Sequence, residues 1–204
     1  MKIFSTVFIS LIIFLSSAFS QSKNYYPLKI GKEWKYQSQN GEFERKLIVV
    51  SYDDNYDAFL LKEILKLGTT LPVTNQILIE NRNGSIIQLG TQGGLFNTDW
   101  AFNSSIVLSN DLSVGSKWYE QYNGMNDQIV ADTLTINVKA GLFHNVIKVE
   151  RELISYDKKL KRKIISMKVF DYYAPNVGLI KECTYDLKKK IERIYIELVN
   201  FKGN

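Results

Sequence analysis

Apolar and polar residues alternate along most of this chain, and this pattern limits the available folds more than any other feature of the sequence. Successive side chains of a β-strand point to opposite faces of a sheet, so strict alternation predicts strands with one buried and one solvated face. The clearest examples are 133–140, 165–169 and 194–198. Because 45% of the residues are apolar, the composition supports a packed core and excludes a disordered protein.

Asparagine–glycine pairs interrupt the alternating segments at three places, Asn40-Gly41, Asn83-Gly84 and Asn123-Gly124. This pair favours the two-residue turn of a β-hairpin, because both residues accept a positive φ. Consecutive hairpins produce an antiparallel meander. We therefore predict an all-β fold that is curved into a half-barrel or a partly open barrel, with at most one or two short helices.

The predicted strands are joined by short polar turns. Their bounds are 32–39, 42–51, 58–66, 73–81, 85–90, 116–122, 126–139, 143–155, 163–173, 178–187 and 191–201. The stretch 91–111 is predicted to be a loop. Residues 56–67 also fit the apolar stripe of a helix, which is the alternative for that segment.

One short pattern occurs twice in the chain. Segments 28–34 and 112–118 share a leucine, a β-branched residue, a glycine and a tryptophan at the same spacing. The repeat predicts two related half-sheets within one domain, each opened by a glycine turn and a tryptophan strand. Trp34 and Trp118 are then expected to be buried in a shared interior.

The first twenty residues have the composition of a secretory signal peptide. Lys2 precedes an apolar run over 3–15, and small residues follow before Gln21. The thirteen residues of this nearly unbroken run form a helix about 20 Å long, which is too short to span a bilayer. We expect an exported domain over 21–204, periplasmic or extracellular, with no lipid anchor because no cysteine lies near the cleavage site, and with no membrane span.

Charge and cysteine content exclude other classes. Lys2 is the only charged residue of the leader, so 25 basic and 21 acidic side chains remain in 21–204. Such a small positive excess does not indicate nucleic-acid binding. Cys183 is the only cysteine, so an internal disulfide is excluded and a buried thiol is predicted.

Three segments resemble an uncharacterised family of exported bacterial proteins and lipoproteins. They are YYPLKIGKEWKY at 25–36, AGLFHNVIKV at 140–149 and YYAPNVGLIK at 172–181. The chain departs from that family in lacking the lipobox cysteine of its lipoprotein members, and in having Asn176 where glycine is common. The resemblance implies a fold and no mechanism. More loosely, the expected fold is similar to the half-barrels of lipoprotein-carrier proteins.

Residues for common catalytic and metal sites are missing from the sequence. His144 is the only histidine, and no Gly-x-Ser-x-Gly motif occurs, so no nucleophile–histidine site is predicted. One histidine and one cysteine do not make the usual zinc ligand set. Residues 53–57 resemble the start of a calcium loop, but Ala58 and Ile64 occupy the positions of its glycine and its bidentate glutamate. We predict no catalytic residue, cofactor or metal.

Two basic clusters are predicted to meet at one end of the sheet, because two strand lengths separate them. They comprise Lys158, Lys159, Lys161, Arg162, Lys163, Lys188, Lys189 and Lys190. The resulting basic rim could attract anionic headgroups or acidic glycans. Alternatively, these lysines are ordinary solvated turn residues that suppress aggregation.

Aromatic residues are predicted to gather at the opposite end, beside the glycine turns. They are Trp118, Phe143, Tyr172 and Tyr173. In a curved sheet they would line the mouth of an apolar cleft, or else they close the end of the core. The predicted function is therefore non-catalytic: binding of a lipid, another apolar or amphipathic small molecule, or an envelope component. The alternative is a protein-interaction module of the cell envelope that uses a sheet edge or the basic rim.

Overall fold

The computed structural model describes residues 23–93, 99–120, 125–157, 162–187 and 189–203. Within these ranges the fold is all-β, with twelve strands and no helix. In chain order the strands are β1 (Glu33–Gln37), β2 (Phe43–Asp53), β3 (Ala58–Leu67), β4 (Val73–Arg82), β5 (Ser85–Gly93), β6 (Ala101–Leu108), β7 (Lys117–Glu120), β8 (Met125–Val138), β9 (Gly141–Asp157), β10 (Arg162–Ala174), β11 (Gly178–Asp186) and β12 (Ile191–Lys202). The predicted leader over 1–20 lies outside the described residues.

All twelve strands belong to one antiparallel sheet, and almost every strand pairs with its neighbours in sequence. The order is β6-β5-β4-β3-β2-β1-β12-β11-β10-β9-β8-β7. The sheet curves into a nearly closed barrel, with one unsealed seam between β6 and β7. The prediction of an antiparallel meander forming a partly open barrel is confirmed, and the seam lies in the middle of the chain because the terminal strands β1 and β12 pair with each other.

Two details of the predicted strand map are settled by the sheet. Residues 58–67 form β3 between β2 and β4, so the helical alternative for 56–67 is wrong. The prediction of a loop over 91–111 is also wrong, because 101–108 form β6. This strand has little alternation, since Asn103, Ser104 and Ser105 are consecutive polar residues. β6 is a strand because it pairs with β5, and this pairing has two register shifts. The local sequence pattern does not predict it.

The N-terminal strap, residues 23–30, lies across one end of the barrel. The Tyr25 hydroxyl donates to the carbonyl oxygen of Asn145 at 2.8 Å, and the Asn176 amide donates to the carbonyl oxygen of Asn24 at 2.6 Å. Just beyond the strap, Lys32 Nζ donates to the carbonyl oxygen of Asn176 at 2.8 Å. These bonds fix the strap against β9 and the β10–β11 turn.

The two glycine–tryptophan segments have the same local structure. The amides of Gly31 and Gly115 donate to Val49 and Ile129, each at 2.8 Å. The two glycines have φ values of +86° and +92°, which a residue with a side chain rarely adopts. Trp34 and Trp118, which open β1 and β7, are both buried, as the repeat predicts.

Candidate functional site

A cavity of about 190 Å³ lies inside the barrel, and ten of the twelve strands contribute to its wall. Aromatic rings form one part of the wall, namely Tyr26, Trp34, Tyr36 and Tyr173. Aliphatic side chains form another part, including Leu47, Leu61, Ile77 and Ile79. Unlike an ordinary core, this wall also contains charged groups, which are Arg45, Asp127, Arg151, Asp171 and Glu182.

The aromatic wall is anchored at the start of β11. Trp34 Nε1 donates to the carbonyl oxygen of Val177 at 2.5 Å, and the Tyr36 hydroxyl donates to the carbonyl oxygen of Leu179 at 3.1 Å. Burial raises the pKa of both the Tyr36 and Tyr173 hydroxyls above the ordinary value. Both phenols are therefore neutral near pH 7, and the rings of Trp34 and Tyr36 are fixed by their bonds to the backbone.

One charged network spans β8, β9 and β10. Arg151 donates from its Nη2 to Asp171 Oδ2 at 2.5 Å, and its Nε lies 3.5 Å from Asp127 Oδ1. The strand register explains this contact, because Asp127 and Arg151 are directly opposite each other on β8 and β9. Asp171 and Asp127 are 1% and 3% exposed, and buried carboxylates need such a cationic partner.

A second network lies across the cavity on β2, β3 and β4. Arg45 Nε donates to Glu63 Oε1 at 2.8 Å, and Asn75 Nδ2 donates to Glu63 Oε2 at 2.7 Å. The Arg45 guanidinium also lies 5.9 Å from the centre of the Tyr36 ring, within the range of a cation–π contact. Arg45 is thereby held between a carboxylate and an aromatic ring, at the cavity wall.

Two carboxylates face each other where β10 pairs with β11. Asp171 and Glu182 are directly opposite in the strand register, an arrangement in which like charges repel. Burial and the negative charge of Asp171 raise the pKa of the Glu182 carboxyl to about 7, although Arg151 and Arg45 act in the opposite direction. Burial also raises the pKa of Asp171, opposed by the nearby guanidinium of Arg151.

The charged groups at the cavity are not balanced. Two guanidinium groups face four carboxylates, counting Glu63 with the wall residues. When all four carboxylates are ionised, two negative charges are in excess. Asp171 Oδ1 has no hydrogen-bond donor among the described residues, which is unusual for a buried oxygen. The cavity can therefore offer hydrogen-bond acceptors and negative charge to a molecule inside it.

Of the four aromatic residues predicted at a cleft mouth, Tyr173 alone lines this cavity. Trp118 lies at the seam, where its Nε1 donates to the carbonyl oxygen of Ile106 at 3.1 Å. Phe143 packs against Phe201, with ring centres 6.1 Å apart. The Tyr172 hydroxyl donates to Glu192, because Tyr172 points to the face of β10 opposite to Asp171 and Tyr173.

The predicted basic rim is only partly within the described residues. Lys158, Lys159, Lys161 and Lys188 lie outside them. Arg162 and Lys163 begin β10, and Lys189 and Lys190 are exposed in the turn between β11 and β12. The β9–β10 and β11–β12 connections lie at the same end of the barrel, since the strands between them are antiparallel.

The histidine, the cysteine and the acidic turn that were considered as chemical sites all lie outside the cavity wall. His144 is exposed, with Nδ1 3.1 Å from the Thr135 hydroxyl. Cys183 is a buried free thiol, as predicted, and burial raises its pKa to about 11. Asp53 ends β2 and Asp57 lies in the turn before β3. The described residues contain no cluster of three or more metal-ligating side chains.

The charged residues of the cavity are not among those predicted from the sequence. In the sequence, such a residue is recognised as a charged side chain within an otherwise apolar strand segment. Asp171, between Phe170 and Tyr172, and Glu182, beside Cys183, are examples. That signal exists in the sequence but is weak, because the inward face of a strand can be identified only after its neighbours are known.

The fold and the cavity define a class of nearly closed, twelve-stranded barrel with a charged interior, and two solved structures share the fold. A Bacteroides fragilis protein, described as exported and as having a YmcC-like fold, has a TM-score of 0.57 at 16% identity, over 87% of this chain and 98% of that chain. A Parabacteroides distasonis protein, described as a lipoprotein, has a TM-score of 0.58 at 18% identity, over 88% and 99% of the two chains.

At these identities the likeness concerns the fold alone. No family model and no curated protein matches the chain. In the described ranges no helix has the length and apolar character needed to cross a bilayer.

Proposed function

We propose that this chain is an exported, non-catalytic binding protein whose barrel encloses a small amphipathic molecule. The observation that carries the proposal is the cavity of about 190 Å³, with aromatic rings and charged groups in one wall. An apolar cavity of roughly 150 Å³ is large enough for benzene. The space inside the barrel is therefore suited to a small molecule rather than to a long acyl chain.

The mixed wall favours an amphipathic ligand over a purely apolar one. Arg45, Asp171 and Glu182 would be desolvated by an apolar molecule, at a cost that no new contact offsets. A ligand with a polar or charged group can bind these side chains while its apolar part contacts Trp34 and Tyr36. Such a combination of apolar surface with few polar anchors is typical of small-molecule sites.

A non-catalytic role is supported by the chemistry of the cavity residues. The single histidine, His144, is exposed and bonded to Thr135, and it is not part of the cavity wall. The thiol of Cys183 is buried, and its raised pKa keeps it protonated near pH 7. Export is supported by the leader-like residues 1–20 and by the two structural neighbours, one described as exported and the other as a lipoprotein.

Mass spectrometry of small molecules extracted from natively purified protein tests this function. Ser105 lines the cavity, so Ser105→Phe would fill the space with a ring. Ser104 is the adjacent, exposed residue of β6, and Ser104→Phe is the matched control. We expect a compound that copurifies with wild type and with Ser104→Phe, and is lost from Ser105→Phe. Identical extracts from all three proteins would contradict a ligand in this cavity.

A second candidate function uses the seam. The facing edges of β6 and β7 have no strand partner among the described residues, and such edges accept an added strand from another protein. If an envelope protein inserts a strand there, amide hydrogen exchange of β6 and β7 slows in its presence. Unchanged exchange in both strands during incubation with periplasmic and membrane fractions would argue against this function.

A further inference from the structure

Two acceptor groups at the cavity wall are left without donors. Asp171 Oδ1 is buried and has no hydrogen-bond partner among the described residues. The Glu182 carboxylate, opposite it in register, has no ion pair or hydrogen bond within the same part of the chain. Buried polar atoms are nearly always paired, so the unpaired Asp171 Oδ1 indicates a missing donor, and the half-buried Glu182 carboxylate lies beside it at the same cavity.

The surrounding groups show which charge that donor should carry. Glu182 is faced by Asp171 on β10, Arg151 on β9 and Arg45 on β2, while Ile196 lies opposite it on β12. Both guanidinium groups already have carboxylate partners, since Arg45 is bonded to Glu63 and Arg151 to Asp171. Arg151 Nε is buried without a hydrogen bond, but it faces Asp127 Oδ1 at 3.5 Å. The groups that remain for a ligand at the pairing of β10 with β11 are therefore the acidic Asp171 Oδ1 and Glu182.

The aromatic part of the wall favours the same charge. Trp34, Tyr26, Tyr36 and Tyr173 line the cavity that Asp171 and Glu182 also line. The faces of such rings carry negative electrostatic potential and attract cations, most strongly where water is excluded. Carboxylates and aromatic rings around one small space form the usual surroundings of a bound organic ammonium group.

We propose that the cavity binds a small organic cation, an ammonium or guanidinium group on a short apolar body, with Asp171 and Glu182 as its counter-charges. The inference rests on the proposed binding function and specifies the charge of the ligand. The cation donates hydrogen bonds to Asp171 Oδ1 and to the Glu182 carboxylate. Its apolar body lies against Trp34 and Tyr36.

The proposal predicts competition between the cation and a proton. Burial and Asp171 raise the pKa of Glu182 to about 7 in the empty cavity. A protonated Glu182 has lost the negative charge that attracts the ligand, so affinity for the cation falls as the pH is lowered through about 7. Binding at pH 6 to 7 therefore releases protons, and the observed heat depends on the ionisation enthalpy of the buffer.

Three probes of similar shape test the charge: benzylammonium, benzyl alcohol and benzoate. Binding is followed by the NMR signal of the Trp34 indole Nε1–H, identified by its loss in Trp34→Phe. We expect benzylammonium at pH 8 to bind at least tenfold more tightly than either of the other probes. Equal or stronger binding of benzyl alcohol or benzoate overturns the cation inference and leaves the amphipathic-ligand function in place.

If none of the three probes perturbs the Trp34 signal at millimolar concentration, the binding function fails together with the inference. Glu182→Gln keeps the size of the side chain and removes its charge, so it should lose most of the preference for benzylammonium. Glu44→Gln makes the same change at an exposed position of β2 and should keep that preference. Should Glu182→Gln not fold, the three wild-type affinities still decide the question.

Discussion

The barrel consists of two six-stranded meanders, β1–β6 and β7–β12, and the two junctions between them differ. At the junction of β12 with β1, five residues of β1 pair with the terminal strand. At the junction of β6 with β7, the sheet has its seam, and the Trp118 indole donates across it to Ile106. Both meanders begin with the same glycine–tryptophan segment, so the shared motif does not determine whether a junction closes.

The difference comes from the strands that meet at each junction. β1 pairs on both sides, with β2 and with the twelve-residue β12. β7 has four residues and pairs with β8 alone. β6 contains a run of exposed polar residues and two register shifts in its pairing with β5. A short strand and an irregular strand leave too few aligned backbone groups for a ladder.

Of the substitutions proposed for the two junctions, Trp34→Ala should lower the stability of the protein most. Trp34 is 3% exposed, lines the cavity and bonds to Val177 beside the sealed junction. Trp34→Ala should lower the free energy of unfolding by about 3–5 kcal/mol, the usual cost for a large buried aromatic residue. Urea denaturation measures the change. Trp100→Ala, which truncates a less buried ring, is the control. A cost below about 1 kcal/mol for Trp34→Ala would contradict the role of Trp34 as a buried core residue.

Removing Trp118 should cost less, although the local motif is the same. Its strand is paired on one side, so the neighbouring side chains can relax into the space, and we expect about 2 kcal/mol for Trp118→Ala. Amide hydrogen exchange in β7 should become faster, because the bond across the seam is lost. A larger cost for Trp118→Ala than for Trp34→Ala would reverse the comparison.

The milder Trp118→Phe keeps most of the apolar volume and removes the bond to Ile106. We expect a loss of about 1 kcal/mol, the usual net contribution of one hydrogen bond. The folded variant should take up benzylammonium at an altered rate, since the seam borders the cavity through Ile106 and Val107. Unchanged uptake would show that ligands do not pass through the seam, and it would favour the strand-binding function.

The two turn glycines should behave alike, in contrast to the two tryptophans. Gly31 and Gly115 have φ values of +86° and +92°, and an added Cβ at either position meets no atom within 4 Å. The cost of Gly31→Ala and of Gly115→Ala is therefore backbone strain alone, about 1–2 kcal/mol each. Thermal or urea unfolding should give equal values within about 0.5 kcal/mol. A clear inequality would show that junction closure strains one turn.

The two meanders also differ in charge at the cavity, and this difference should have a small effect on the pH dependence of stability. The first contributes the Arg45–Glu63 pair, and the second contributes Arg151 with Asp127, Asp171 and Glu182. The pKa of Glu182 is raised to about 7, chiefly by burial and then by Asp171. The folded state therefore holds this proton more tightly than the unfolded state, and stability falls as the pH rises through about 5 to 7.

Because Glu182 is half-buried, we expect this component to be about 1 kcal/mol. The variant Glu182→Gln should lose it, so that urea midpoints at pH 5 and pH 8 move closer together than in wild type. Glu44→Gln should keep the wild-type difference. Equal pH dependence in all three proteins would place the titrating group elsewhere.

The local rules of sheet formation made most of the fold predictable. Alternation identified every strand except β6, and the asparagine–glycine pairs located two of the described hairpins. The repeat predicted both buried tryptophans, because the same residues at the same spacing form matching turns at Gly31 and Gly115. The prediction failed at 101–108, where three consecutive polar residues conceal a strand that exists because β5 pairs with it.

The candidate site was far less predictable. Trp118, Phe143, Tyr172 and Tyr173 were predicted to lie together because their turns fall at the same end of the sheet. In the structure, bulges and the alternation of side chains along each strand give these residues different contacts. Tyr173 lies on the cavity face of β10, whereas Tyr172 bonds to Glu192 on the other face. A register shift between these two residues in the pairing with β11 shows how local geometry alters such a count.

The sequence by itself determined every strand but β6, the antiparallel order and the glycine–tryptophan turns, because each depends on residues that are close along the chain. Only the tertiary structure decided that β1 meets β12, that the seam falls between β6 and β7, and that Asp171 faces Glu182. Those features depend on pairing between distant segments, whose register sets which face of every strand points inward. The charge of the cavity is a consequence of that register.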